Sequence, residues 1–325
     1  MEYDSPLLSV VVIGLNEQDR LRESLEAVFA QRPRGYEIEV LYVDSGSTDR
    51  SVEIAGAVPG VEVLHLTGGR PSAARARNVG LRRARGEFVQ LIDGDSVIQH
   101  GWFDRALEIL NAQPDASCVF GRCSEMFPDQ SIYMKVCGFD WLGPEGDRRY
   151  CGGNAMWRLS TVAKHGYFDE RIRSGEEPEL CYRVRHSGGR IICIDVPMVK
   201  HDLGMRHFSQ YWARAINVGR GVASIALRFC HETERLWLRE MIVNFLEPVI
   251  WIALLATGWS IFDANAGLAI LVIWWLLRAV QISYSARRLR MGVVEGIIYG
   301  LHCQFVRLPL AIGQLTTLLD LHGIR

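Results

Sequence analysis

The sequence has almost no net charge, no closely paired cysteines, no basic leader and no internal repeat, and each absence removes a class of protein. A formal charge of −1 and an isoelectric point near 6.8 leave no global field to recruit nucleic acid or acidic partners. The basic run over 70–85 reads as a solvated helix face, so no nucleic-acid partner is expected. Eight cysteines are scattered through 325 residues without a CxxC pair. That spread predicts reduced, mostly buried thiols in a chain facing the cytosol. The opening Met1-Glu2-Tyr3-Asp4-Ser5-Pro6 has neither a basic n-region nor a cleavage site. The apolar Leu7–Ile13 after it is only strand length, so no signal peptide is expected.

What is present is an alternation of apolar runs and helical periodicities. Strands are predicted at Leu8–Ile13, Glu39–Val43, Val61–Leu66 and Phe88–Ile92. Between them, helices are predicted through Leu21–Phe29, through Val52 and Ile54, and from Pro71, at a position that needs no N–H, to Gly86. This β-α-β-α-β-α-β rhythm predicts a parallel, helix-covered sheet. Further on, a helix is expected over Trp102–Leu110 and a strand over Ser117–Arg122. Residues 123–150 read as an irregular, substrate-covering stretch. Gly152-Gly153 marks a turn beside a short strand, a helix runs from Glu176 to Gly188, and Arg190–Val196 is a last strand.

The centre of this pattern is Phe88-Val89-Gln90-Leu91-Ile92-Asp93-Gly94-Asp95, where a buried strand ends in two carboxylates spaced i, i+2. Ligands of open α/β sheets bind beyond the carboxyl ends of the strands. Paired oxygen donors there suit Mg²⁺ or Mn²⁺, and such an ion suits a diphosphate. Asn16/Glu17 and Asp44 close two other predicted strands, so three strand ends present carboxylates or amides to one cleft.

These motifs carry a family resemblance. Val11-Val12-Ile13-Gly14-Leu15-Asn16-Glu17, Tyr42-Val43-Asp44-Ser45-Gly46-Ser47-Thr48-Asp49, Ala76-Arg77-Asn78-Val79-Gly80, Gly86–Asp95, Gly152-Gly153-Asn154 and Glu176-Glu177-Pro178-Glu179-Leu180 resemble, in order and spacing, the family 2 glycosyltransferases. The resemblance covers roughly residues 7–205. It implies an α/β chain with the GT-A (nucleotide-diphospho-sugar transferase) fold, a Rossmann-like mostly parallel sheet followed by C-terminal membrane helices. It also implies an inverting, metal-dependent hexosyltransferase using a nucleotide-diphosphate sugar. By resemblance, Asn16, Glu17 and Asp44 contact base and ribose, Arg77 and Asn78 line the nucleotide side, and Asp93 meets the ribose or sugar. Asp95, with Asp93, holds Mg²⁺ or Mn²⁺, and Gly153 and Asn154 border the acceptor. The family's Glu-Asp motif is Glu176-Glu177 here, so the general base is Glu177 or Glu176. Glu179 reads as structural. His201 is read as a surface histidine in preference to a metal or phosphate contact.

The C-terminal portion changes character. Three regions are expected: a catalytic domain over 1–204, an amphipathic interface region over 205–240, and membrane-associated helices over 241–325. Met205–Phe229 is amphipathic and fits either a helix packed on the catalytic domain or one lying on a bilayer. Ile242–Phe262 and Ala266–Tyr284 are long enough to span. The acidic connector at Asp263 and the arginines at 287, 288 and 290 put the second loop inside. Val293–Leu319 reads as a polar span or a broken, re-entrant helix. Gln210-Tyr211-Trp212-Ala213-Arg214 is related to the Gln-x-x-Arg-Trp motif of processive members without matching it. The resemblance is closer to succinoglycan-type exopolysaccharide enzymes, which implies a lipid-linked saccharide or polyprenyl acceptor at the inner (plasma) membrane, catalytic domain cytoplasmic. The alternatives are a polyprenyl-phosphate sugar transferase and a catalytically silent nucleotide-sugar-binding membrane partner.

Overall fold

The computed structural model describes residues 6–286 and 291–322; the arginines 287, 288 and 290 of the topology argument lie outside them. In chain order the first elements are β1 (Leu7–Gly14), α1 (Leu21–Ala30), β2 (Glu37–Asp44), α2 (Ser51–Gly56), β3 (Val61–His65), α3 (Ala73–Arg83) and β4 (Phe88–Asp93). Then come β5 (Ser96–Ile98), α4 (Trp102–Ala112), β6 (Ala116–Glu125), α5 (Ile132–Gly138), a 3-10 turn over Phe139–Trp141, and β7 (Gly146–Asp147). The elements β8 (Ala155–Arg158), α6 (Leu159–Lys164), α7 (Glu176–His186) and β9 (Arg190–His201) follow. The chain closes with α8 (Phe208–Arg228), α9 (Leu238–Ile261), α10 (Ala264–Ala286), α11 (Val293–Phe305) and α12 (Arg307–His322). They fall into two compact units. One holds the residues up to Phe127 together with Trp141–Leu203; the other holds Pro128–Asp140 together with the chain from Gly204 onward.

The first unit is a mixed sheet in the order β3-β2-β1-β4-β8-β6-β9-β5, with β7 against β9. Its N-terminal half is parallel throughout, β2 and β4 flanking β1 and β3 flanking β2. The pairs β4–β8 and β6–β8 are antiparallel. Every residue of β1 is buried, because both faces are covered, as parallel sheets require. Alternation divides the strand between two cores. Val10 and Val12 pack with Leu21, Leu25, Trp102 and Phe103 on one face. Val11 and Ile13 pack with Ala74, Leu81, Leu180 and Val184 on the other. Buried Gln90 in β4 accepts from the Trp102 indole at 2.7 Å and donates to the Leu91 carbonyl at 2.8 Å, so its burial leaves no amide unsatisfied. Gly80 lets α3 lie directly on β1, since a Cβ there would meet the Val11 side chain.

The structure departs from the sequence reading in several places. Ser72, whose side chain accepts from the Arg75 N–H, caps α3, so Pro71 lies just outside the helix. The stretch 123–150 is not irregular throughout: β6 runs on to Glu125, and α5 and β7 occupy part of it. The last strand continues past Val196 to His201, because β6 and β5 both pair with its far half. β5 and α6 have no counterpart in the sequence reading. None of the eight cysteines forms a disulfide and five of them are buried, as their spacing predicts.

The second unit is helical. By length and composition, α9 and α10 could each cross a membrane, and they expose large apolar side chains such as Ile252, Trp259, Leu277 and Val280. Small residues let the helices approach closely. A Cβ on Gly300 or Gly296 of α11 would lie 2.5 Å from the Ala279 carbonyl or the Ser283 hydroxyl of α10. This is a small-xxx-small contact on both helices. Between the two long helices, Glu247 and Arg278 form an ion pair at 2.7 Å. The stretch 293–319 is broken into α11 and α12 at Val306. Gln210 caps the start of α8, its side chain accepting from the N–H groups of Arg206 and His207 at 2.9 Å.

Candidate active site

β4 delivers Asp93, and the turn after it delivers Asp95. Gly94 between them donates to the Ile13 carbonyl at 2.8 Å. A Cβ at Gly94 would lie 3.1 Å from that carbonyl and 3.2 Å from Glu17 Cγ, so a glycine fits the close approach of β1. On the other side β9 brings in His201. Its Nε2 stands 3.4 Å from Asp95 Oδ1 and 4.0 Å from Asp93 Oδ2, with the side chain 15 % exposed. This corrects the surface reading of His201: register with β5 pairs it with Ser96, and the Trp141 ring stands 5.2 Å away. Asp202 beside it is held by Arg20 at 2.8 Å.

Negative charge accumulates here. Burial, reinforced by Asp95 and Asp93, pushes the Glu17 carboxyl up to about 7. Burial likewise raises Asp95 to about 6, with Asp93 adding to the rise and His201 opposing it. Asp95 Oδ1 and His201 Nδ1 are both buried without a hydrogen-bond partner. An orphaned carboxylate oxygen and an imidazole beside a second carboxylate are donors that fit a small divalent cation.

Across the cleft Arg77 gathers the other acidic groups. Its guanidinium, 4 % exposed, meets Glu176 and Glu177 at 2.9 Å and Asp93 at 3.1 Å. Burial alone would lower its affinity for a proton, but Glu177, Asp93 and Glu176 reverse that and raise it. Gly175, in the left-handed region at φ 95°, turns the chain into α7, so both glutamates sit in the helix's first turn, where the macrodipole favours them. Glu176 is 5 % exposed and Glu177 17 %. Burial, then Glu177, raises Glu176 to about 7 against the pull of Arg77. Asn154 fixes Asp93, its Oδ1 accepting from the Asp93 N–H at 3.0 Å and its Nδ2 donating to Oδ2 at 3.3 Å. A Cβ on Gly153 would collide with the Arg77 guanidinium and lie 3.0 Å from Asp93 Oδ2.

Arg77, Asp93, Gly153, Asn154, Glu176 and Glu177 therefore form one contiguous cluster, and Glu17, Asp93, Asp95 and His201 a second that shares Asp93. Asn16 and Asp44 are engaged with the loop after β2. Asn16, with φ 61°, accepts from the Thr48 N–H at 2.8 Å, while buried Asp44 accepts from the N–H groups of Gly46 and Ser47 at 2.9 and 3.1 Å. Tyr42, quoted in the family motif without a role of its own, places its hydroxyl 3.4 Å from Asp44. Asn78 does not join the clusters. It is 1 % exposed, donates to the Phe168 carbonyl and Glu170 at 2.9 Å, and accepts from the Phe168 N–H at 3.0 Å.

Comparison with known proteins agrees with this architecture. Residues 9–149 match the glycosyl transferase family 2 model. A pre-mycofactocin glycosyltransferase of Mycobacterium tuberculosis is 28% identical over 209 residues, covering 60% of this chain and 44% of that protein. The succinoglycan biosynthesis protein ExoO of Rhizobium meliloti is 24% identical over 212 residues, covering 57% of each. The chain thus spans about half the length of the curated relatives it matches. Among solved structures, a mannosyltransferase from Pyrobaculum calidifontis, in complex with GDP-Man and Mn²⁺, superposes with a TM-score of 0.64 at 19% identity, covering 97% of this chain and 88% of that one. Residues 9–149 are thus similar to family 2 glycosyltransferases, and the chain has the GT-A fold of that mannosyltransferase.

Proposed function

We propose that the protein is an inverting, metal-dependent glycosyltransferase that moves a sugar from a nucleotide-diphosphate donor to a hydroxyl of a lipid-linked or polysaccharide acceptor. The observation that carries this reading is the unpartnered, buried Asp95 Oδ1 with His201 3.4 Å away and Asp93 beside it. Asp95, Asp93 and His201 would hold Mg²⁺ or Mn²⁺, and such an ion, when bound, neutralises a leaving diphosphate. Mn²⁺ in the Pyrobaculum mannosyltransferase supports the choice of ion. The loops of Asn16, Glu17 and Asp44 offer carboxylate and amide groups to a base and ribose. Asn154 and Arg77 hold Asp93 in place, and Glu177, the more accessible glutamate, takes the acceptor proton as the hydroxyl attacks the anomeric carbon opposite the diphosphate. Glu176 orients Arg77.

A second reading, sugar transfer to a polyprenyl phosphate, is favoured by the contact of Glu177 with Arg77 at 2.9 Å. A carboxylate so paired is already engaged by a guanidinium, and a phosphate acceptor needs no strong base. In both readings α9 and α10 anchor the chain in the inner membrane with its catalytic domain cytoplasmic. Their exposed apolar faces and small-residue contacts support this.

Thermal shift with UDP, GDP, dTDP and CMP, with and without Mn²⁺, tests the site in detergent-purified full chain. One nucleotide should stabilise in a Mn²⁺-dependent manner, and Asp95→Ala should abolish the effect. Folded protein that responds to none of them refutes the transferase reading and leaves a silent membrane partner.

A further inference from the structure

We propose that Cys137, Asp140 and His302 form a second metal site, inside the helical unit, for a borderline-soft divalent ion of the zinc class. The thiol sulfur, a carboxylate oxygen and a ring nitrogen lie within 4.8 Å of one another. They come from the end of α5, the turn that follows it, and α11. Cys137 and His302 are buried. Thiolate, imidazole and carboxylate together select zinc-like ions over Mg²⁺ or Mn²⁺, which prefer oxygen alone.

Two further features point to an ion. The first is a set of supporting contacts around the ligands. The Tyr211 hydroxyl pairs with His302 Nδ1 at 3.1 Å, leaving Nε2 for a metal, and the Tyr299 hydroxyl donates to Asp140 Oδ1 at 2.8 Å. Tyr211 and Tyr299 also contact the His302 ring, with centroids 5.7 and 5.9 Å away. Partners that fix a ligand's orientation in this way are the usual surroundings of a metal centre. The second is space. A cavity of about 270 Å³ is lined by all three residues together with Arg214, Asn244 and Arg307. Three protein ligands facing a cavity leave a fourth coordination position open. Binding requires the thiolate, so the Cys137 proton is released to solvent as the metal–sulfur bond forms. The ion would tie residues 128–140 to α11, ligands distant in sequence that α5–α11 packing already brings together.

The test is a Co²⁺ titration of detergent-purified full chain stripped with chelator. One equivalent should produce a thiolate-to-cobalt charge-transfer band and tetrahedral visible absorption, both displaced by Zn²⁺. Asp95→Ala should keep the band, Cys137→Ser should lose it, and Tyr211→Phe should weaken Co²⁺ affinity about tenfold. No thiolate band in the wild-type chain overturns the proposal without recourse to any variant. A band that persists in Cys137→Ser overturns it as well.

Discussion

Replacing Arg77 by Met keeps most of the side-chain volume and removes the charge that three carboxylates share. Arg77 is 4 % exposed and stands 2.9 Å from both Glu176 and Glu177 and 3.1 Å from Asp93. Breaking a buried pair by removing one partner costs about 3–5 kcal/mol, because the remaining charge is left uncompensated. For a domain of this size each kcal/mol moves Tm by roughly 2–4 °C, so Arg77→Met should lower it by about 6–20 °C at pH 8. The sign with pH is fixed by the carboxylates. Glu176 already sits near 7 against an ordinary 4.5, and loss of Arg77 raises it further. A carboxyl raised in the folded state contributes stability below its unfolded value, and that contribution disappears as pH rises through the folded value. The share of the variant's deficit that comes from Glu176 should therefore be small below about 7, where that carboxyl is protonated in both folded chains, and should grow as pH rises beyond 7. Differential scanning fluorimetry of the detergent-solubilised chain from pH 5 to 8 reads it directly. A deficit equal at both ends, or a Tm within about 3 °C of wild type at pH 8, refutes the account of Arg77 as charge compensation.

Glu17 gives a second pH effect of the same sign. With its carboxyl raised to about 7, the metal-free chain should lose stability as pH rises from about 4.5 through 7. Mn²⁺ should restore it, and Glu17→Gln should flatten the profile; matching Tm–pH curves for wild type and variant contradict this. Glu177→Gln should lower kcat about 10²–10⁴-fold while leaving nucleotide affinity within threefold, measured by product release and by titration. Unchanged turnover in that variant selects the phosphate-acceptor reading. Gly153→Ala should cut activity at least tenfold with a smaller effect on Tm, since its Cβ would press on the Arg77 side chain and Asp93; an active variant shows that the Arg77–Asp93 contact can shift without consequence.

The strands that organise the first unit were legible because burial on both faces leaves a continuous apolar run, as in β1 and β4. The acidic pair was legible because it follows such a run directly. Features set by pairing across the chain were not. His201 approaches Asp95 only because β9 continues beyond Val196 and pairs with a three-residue strand, β5, too short to show a period. The β6–β9 ladder reaching the same point contains register irregularities. Asn78 sits one residue from Arg77 on α3, yet it turns to the loop at Phe168 while Arg77 turns to Asp93 and the α7 glutamates. Neighbours in a motif need not share a face when the helix carrying them packs between sheet and loop. α5 was hidden by the glycines, prolines and aromatics that flank it.

The Glu247–Arg278 pair bears on how the chain would be built into a bilayer. Past its first turn α9 carries Glu247 in an apolar run, α10 carries Arg278 in another, and the two meet at 2.7 Å. Entering lipid singly, either helix would carry an unmatched charge costing about 2.5–3.5 kcal/mol. Entering together, they cancel much of that cost, since the partner is already at hand one short turn away. If α9 and α10 cross a bilayer, the hairpin and not the single helix would be the unit of insertion.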